Sequence, residues 1–156
     1  MKTFLNPMIA GLFLVAGAQG ASAQMINECE WQASARNIVE PWSENTRTFA
    51  EGKVRLALLD TVEPAAAAFH IMVLSPPYDE VGGRQCKVVS WNESVGFTGI
   101  EFSKLQARYD PAVGLIFGVP AFLYDGDGTS STEVELAFWL NQSTGELAGE
   151  IFRSPE

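Results

Sequence analysis

Histidine occurs once in this 156-residue chain, cysteine twice, and Lys plus Arg ten times against 19 Asp plus Glu. Each scarcity excludes something. Zinc sites draw on several His or Cys ligands, and Ser- or Cys-based catalysis usually needs a His base oriented by a carboxylate. His70 stands alone inside the apolar run Ala68-Phe69-His70-Ile71-Met72, so the expectation is a hydrogen-bonded core histidine rather than a catalytic one. No G-x-S-x-G, H-E-x-x-H, G-x-x-x-x-G-K-S/T or C-x-x-C pattern occurs, which leaves the common nucleophile, metal and phosphate motifs unrepresented. Neither a metal nor a cofactor is expected. The basic residues past Lys2 are scattered through the chain, from Arg36 to Arg153. Without a Lys/Arg cluster, neither nucleic acid nor an anionic lipid surface is an expected partner.

Membrane-length apolar runs are missing as well. The run Met8–Ala18 covers 11 residues, short of the ~20 that a spanning helix needs. It follows Lys2 and precedes Ala21-Ser22-Ala23, which puts small residues at the −3 and −1 positions of a cleavage site. That order predicts a signal peptide over residues 1–23 and a mature chain starting at Gln24, hence an exported protein, periplasmic or secreted. No stable membrane span is expected. Cleavage removes Lys2 and no acid, taking the net charge from −9 to −10. Residues 24–156 are long enough for one proper core and too few for two. The acidity favours solubility and permits a cationic ligand.

In an oxidising compartment two cysteines predict one disulfide, Cys29–Cys86. Such a bond ties the N-terminal segment to the middle of the fold. It closes a loop of about 58 residues, a constraint of roughly 4 kcal/mol on the unfolded chain in the entropy model. The competing reading, a catalytic thiol, lacks a base. No cysteine directly follows the cleavage position, so a lipid-modified N-terminus is not expected.

What the chain does contain is a β cadence. Turn signals recur every 8–15 residues between short runs rich in Val, Ile, Leu, Phe and Trp. A hairpin is predicted over Asn45–Ala50 and Lys53–Asp60, where Val54, Leu56 and Leu58 alternate with Lys53, Arg55 and Ala57. Ala66–Ser75 reads as a strand buried on both faces, ended by Pro76-Pro77. Further strands are expected at Arg84–Trp91, Phe97–Phe102, Leu105–Tyr109, Leu115–Tyr124, Thr132–Asn141 and Glu146–Phe152. Asp110-Pro111-Ala112-Val113-Gly114 reads as a type I turn closed by a glycine with positive φ. Residues 24–44 stay unassigned, with room for a short helix. The expected fold is all-β: an antiparallel meander of eight or nine short strands closing into a small, closed or partly open barrel. A two-sheet β-sandwich is the alternative.

Three segments offer chemistry. Asp125-Gly126-Asp127-Gly128-Thr129 resembles the start of a calcium loop. The closing carboxylate required at position 136 is Leu136, and shifting the register puts Leu123 at the first ligand. A hairpin turn accounts for these residues. Glu133 and Glu135 leave one face of a strand about 6.5–7 Å apart, within the spacing of paired glycosidase carboxylates. Trp139 shares that face and offers a ring to a sugar or a cation. The loop Pro76–Gly83, with Tyr78, Asp79 and Glu80, precedes Cys86 and is a candidate binding loop. Asn92-Glu93-Ser94 and Asn141-Gln142-Ser143 match the N-glycosylation pattern.

These observations point to a non-enzymatic exported domain that binds a small ligand or another envelope protein. Two further readings stand beside it. A carboxylate-only hydrolase of glycans would use Glu133 and Glu135 and needs a raised pKa on one of them. An outer-membrane barrel would have to turn Lys53, Arg55, Glu133 and Glu135 together into its lumen. No residue pattern names a family.

Overall fold

The computed structural model describes residues 25–126 and 130–153. The expected signal peptide, the Asp127–Thr129 part of the calcium-like turn and the last three residues lie outside the described residues. No helix among the described residues is long and apolar enough to cross a membrane.

Ten strands form two antiparallel sheets. The first holds β1 (Ile26–Glu28), β2 (Thr46–Phe49), β3 (Val54–Asp60), β4 (Phe69–Tyr78) and β5 (Arg84–Val89), in the order β1-β5-β4-β3-β2. The second holds β6 (Gly99–Ile100), β7 (Gln106–Asp110), β8 (Gly114–Tyr124), β9 (Ser131–Leu140) and β10 (Leu147–Arg153). Its order is β10-β9-β8, with β6 and β7 both pairing with β8. The expected barrel is therefore corrected to the sandwich alternative. The sheet does not close because the meander breaks between β5 and β6, where the chain changes sheets. At that corner Phe97 exchanges backbone hydrogen bonds with Phe69 of β4 (2.8 and 3.0 Å), and Thr98 then donates to Phe122 of β8 (2.8 Å). A closed sheet, which the outer-membrane reading needs, is not what the described residues form.

Alternation builds the core between the layers. Val54, Leu56, Leu58, Ile71, Val73 and Val89 face it from the first sheet. Leu115, Phe117, Val119, Leu136, Phe138 and Leu140 face it from the second. Phe117 stacks on Phe138 with centroids 4.9 Å apart and meets Phe49 of the first sheet edge-on at 5.1 Å. Pairs of this kind add about 0.5–1.5 kcal/mol beyond their buried area. The β7–β8 turn has the expected chemistry. Val113 N–H donates to Asp110 O, Ala112 N–H donates to the Asp110 carboxylate, and Gly114 takes φ +115°. A Cβ at Gly114 would lie 2.2 Å from Leu140 O, so glycine is required there twice over.

Two expected strands need correction: Phe97–Phe102 shrinks to Gly99–Ile100, with a 3₁₀ turn over Phe102–Lys104 after it, and Ala66–Ser75 is displaced at both ends. The expected strand from Ala66 begins only at Phe69, and it runs on through Pro76-Pro77 to Tyr78. The pairing steps from Ser75↔Gln85 directly to Tyr78↔Arg84. Both prolines sit in this bulge, outside the ladder, where their missing N–H groups cost nothing. Among the described residues the strands number ten against the eight or nine expected, because the unassigned N-terminal segment contributes β1.

Residues 25–45 become a strap. β1 pairs with β5, two single 3₁₀ turns follow (Trp31–Ala33 and Ala35–Asn37), and a one-turn helix, α1, spans Trp42–Asn45. Between them the chain crosses the outer face of the first sheet. It starts at β5, where Cys29 is disulfide-bonded to Cys86 with Cα atoms 5.3 Å apart. It ends at β3, where Ile38 bridges Leu59 and Val39 N–H donates to Leu58 O. Cys29, Ala33 and Ile38 cover a second apolar cluster of Ala57, Leu59 and Met72. The centre of the first sheet, on β3 and β4, is thereby buried on both faces, as read for β4 in the sequence.

Replacing both cysteines with serine should lower unfolding stability by up to about 4 kcal/mol, measured by urea titration. Hydrogen exchange should show the amides of residues 29–39 losing protection before those of β8 and β9. Unchanged stability and exchange would mean that packing alone holds the strap.

Candidate functional site

The two outer faces differ. The strap covers the first, whereas nothing among the described residues covers the second. The ladder sets what lies on that open face: Ile116, Gly118, Pro120 and Phe122 from β8 stand opposite Trp139, Ala137, Glu135 and Glu133 from β9. β10 adds Ala148, Glu150 and Phe152, and β7 adds Gln106 and Arg108. The sequence-derived group Glu133, Glu135 and Trp139 is thus brought onto one face, with Ala137 between Glu135 and Trp139.

Sharing a face does not put the two carboxylates in one depression. Glu135 lines a groove of about 230 Å3 with Gln106, Arg108, Ile116, Gly118 and Ala137. Gly118 makes the groove, since a Cβ there would come within 2.7 Å of Glu135 Oε1. Glu133 lines a cleft of about 540 Å3 at the end of the sandwich instead. Trp91, Tyr124, Asp125, Thr132 and Arg153 share that cleft, together with the buried Leu123. Thr132 Oγ1 donates to Asp125 Oδ1 at 2.6 Å and so holds this carboxylate at the mouth. Glu133 and Glu135 thus line different depressions, while the charge of Glu133 still reaches Lys104 on the Glu135 side.

Lys104 lines a neighbouring depression that shares Gln106, Gly118 and Glu135 with this groove. Its Nζ donates to Glu101 Oε2 at 2.7 Å. That hydrogen bond and the Glu101 charge raise its pKa, slight desolvation opposes them, and the charge of Glu133 adds to the rise.

The candidate loop lies at the other end of the sandwich from the cleft. Tyr78 ends β4 half-exposed. Asp79 is committed to the turn: its Oδ1 accepts from Val81 N–H (3.0 Å) and Gly83 N–H (2.6 Å). Glu80 is exposed and points no other group of the site toward itself among the described hydrogen bonds and ion pairs. Tyr78, Asp79 and Glu80 are therefore not joined to Glu133, Glu135 and Trp139.

His70 lies wholly inside the protein. Its Nδ1 is 2.9 Å from Ser90 Oγ, and its Nε2 has no hydrogen-bond partner. Gly96 packs against the ring, and a Cβ there would meet Phe69 O at 2.4 Å and His70 Nε2 at 2.8 Å. Sequence reasoning passed over Gly96 and Trp91. Trp91 enters the cleft only because the β5 end lies near the β8–β9 hairpin, a contact without local periodicity. Tyr124 and Asp125 carried a readable signal as an aromatic and an acid leading into a turn.

Burial lowers the His70 pKa to about 4. The unfolded chain takes up this proton near the ordinary value of about 6.5 and the folded chain does not. Stability from this group is therefore complete above pH 6.5 and falls as the pH drops toward 4, by about 3 kcal/mol. His70→Asn, which keeps a partner for Ser90, should remove that component, so the wild-type minus variant difference in urea unfolding should shrink by this amount between pH 7 and pH 4. Parallel pH profiles would refute the assignment.

In comparisons with known proteins, the chain matches no protein-family model, no curated protein and no solved structure.

Proposed function

We propose that this is an exported, non-enzymatic binding protein that takes a small ligand on the second sheet. What supports the reading is the asymmetry of the two outer faces. The centre of the first sheet is buried on its inner face by the second sheet and on its outer face by a disulfide-pinned strap. The second leaves a glycine-floored groove and an aromatic-walled cleft open beside carboxylates and cations. Binding sites combine apolar and aromatic walls with a few polar groups on a rigid support, and β8–β9 is the most extensively paired hairpin of the fold. Export is supported by the order of charge, apolar run and small residues in segment 1–23 and by the Cys29–Cys86 bond. The separation of Glu133 and Glu135 into two depressions favours binding over glycan hydrolysis.

Thermal unfolding in the presence of sugars, amino acids, cations, lipids and envelope extracts tests this reading, since a ligand of the folded state raises the melting temperature by mass action. At least one of these should produce a saturable rise. A flat response across them all would refute the proposal. Gly118→Val serves as the structural control. It should fill the groove, turn Glu135 aside and change stability by no more than about 1 kcal/mol, because β-branched residues suit a pleated strand.

A further inference from the structure

We infer that the cleft at the end of the sandwich binds a small zwitterion: an ammonium and a carboxylate on one body, the chemistry of an amino acid or short peptide. This rests on the binding reading above but not on the Gly118 groove. The cleft sits where β8, β9 and β10 meet the end of β5. It holds charges of both signs. Asp125 directly follows β8, Glu133 leaves β9 on the open face, and Arg153, opposite Val134 at the end of β10, approaches the cleft from the inner side. Among the described residues, Arg153 forms no ion pair with either carboxylate or with any other group.

Exposed opposite charges held apart lose little in water, since exposed pairs are weak. A ligand carrying both charges would satisfy both sets of groups at once. Its ammonium would lie against Asp125 and Glu133, and its carboxylate would meet the planar, two-pronged guanidinium of Arg153. Trp91 and Tyr124 add ring surface, which attracts an ammonium and covers an apolar body. Thr132 keeps Asp125 in place through the 2.6 Å hydrogen bond. A simple cation would leave Arg153 as a repulsive neighbour, and a simple anion would face two carboxylates. The zwitterion is the class that uses every charged side chain lining the cleft. The volume of about 540 Å3 suits a small ligand.

Isothermal titration at low salt tests the assignment, with phenylalanine as the zwitterion, phenethylamine and 3-phenylpropionate as its single-charge relatives, and glucose as a neutral polyol. Phenylalanine should bind about tenfold tighter than either relative. Arg153→Gln should weaken phenylalanine by about tenfold and leave phenethylamine unchanged or tighter. Glu133→Gln should weaken both ammonium-bearing compounds and leave 3-phenylpropionate unchanged or tighter. These side chains are exposed, so the variants should fold, and unchanged circular dichroism will verify it. Glu135→Gln should change nothing in these titrations. Binding of glucose without phenylalanine, or phenylalanine binding indifferent to Arg153 and Glu133, overturns the zwitterion assignment while leaving a binding protein. Loss on Glu135→Gln moves the site to the groove. Absence of binding by all four compounds overturns the inference, and the broader proposal then stands or falls on the thermal screen.

Discussion

The strap over the first sheet is the constraint on which the rest depends. β3 and β4 are apolar on both faces, with Leu56 and Val73 turned into the sandwich and Ala57, Leu59 and Met72 turned out. Uncovered, the outward set would be a contiguous apolar patch of the kind that invites association. Residues 29–39 cover it with little secondary structure of their own, so the cover is held at its ends. One end is the Cys29–Cys86 bond and the other is the Ile38–Leu59 bridge. A short irregular segment loses much chain entropy when it is laid across a sheet. A cross-link that already restricts the unfolded chain lowers that cost.

Covering one sheet leaves the outer face of the other open. In the second sheet every inward residue of β8 and β9 from Leu115 to Leu123 and from Val134 to Leu140 is buried, and the intervening residues reach the surface. The face is supported by the stacked Phe117 and Phe138 beneath it. Its polar groups can therefore hold position without a strap above them. Acidic side chains outnumber basic ones across the molecule, so a positively charged group on a ligand gains from the general field as well as from local contacts.

The strictly alternating strands were legible in the sequence. Lys53–Asp60, Leu115–Tyr124 and Thr132–Asn141 each lie within a residue or so of an observed strand, because period-two burial is a local property. The Asp110–Gly114 turn was legible for the same reason, since its geometry is fixed by Asp at the first position and Gly at the last. Barrel against sandwich was not. The difference lies in where Gly96–Glu101 goes after leaving β5, and that is decided by backbone pairing with both Phe69 and Phe122. The strap was equally hidden, since Cys29–Val39 has no period and is ordered by what lies beneath it. Pro76-Pro77 misled for a definite reason: proline forbids a ladder hydrogen bond, and a bulge removes the need for one.

The two glutamates show how far strand spacing carries an argument about a site. A separation of two residues correctly puts Glu133 and Glu135 on one face. It says nothing of what each side chain meets across the ladder. Glu133 stands opposite Phe122, next to the end of the hairpin, where β8 and β9 run on into Tyr124, Asp125 and Thr132. Glu135 stands opposite Pro120, and the absent side chain of Gly118 opens space on its other flank. Identical residues on one strand are thus assigned to different surroundings by the neighbouring strand. The periodicity of a strand selects the face, and its cross-strand partners select the site.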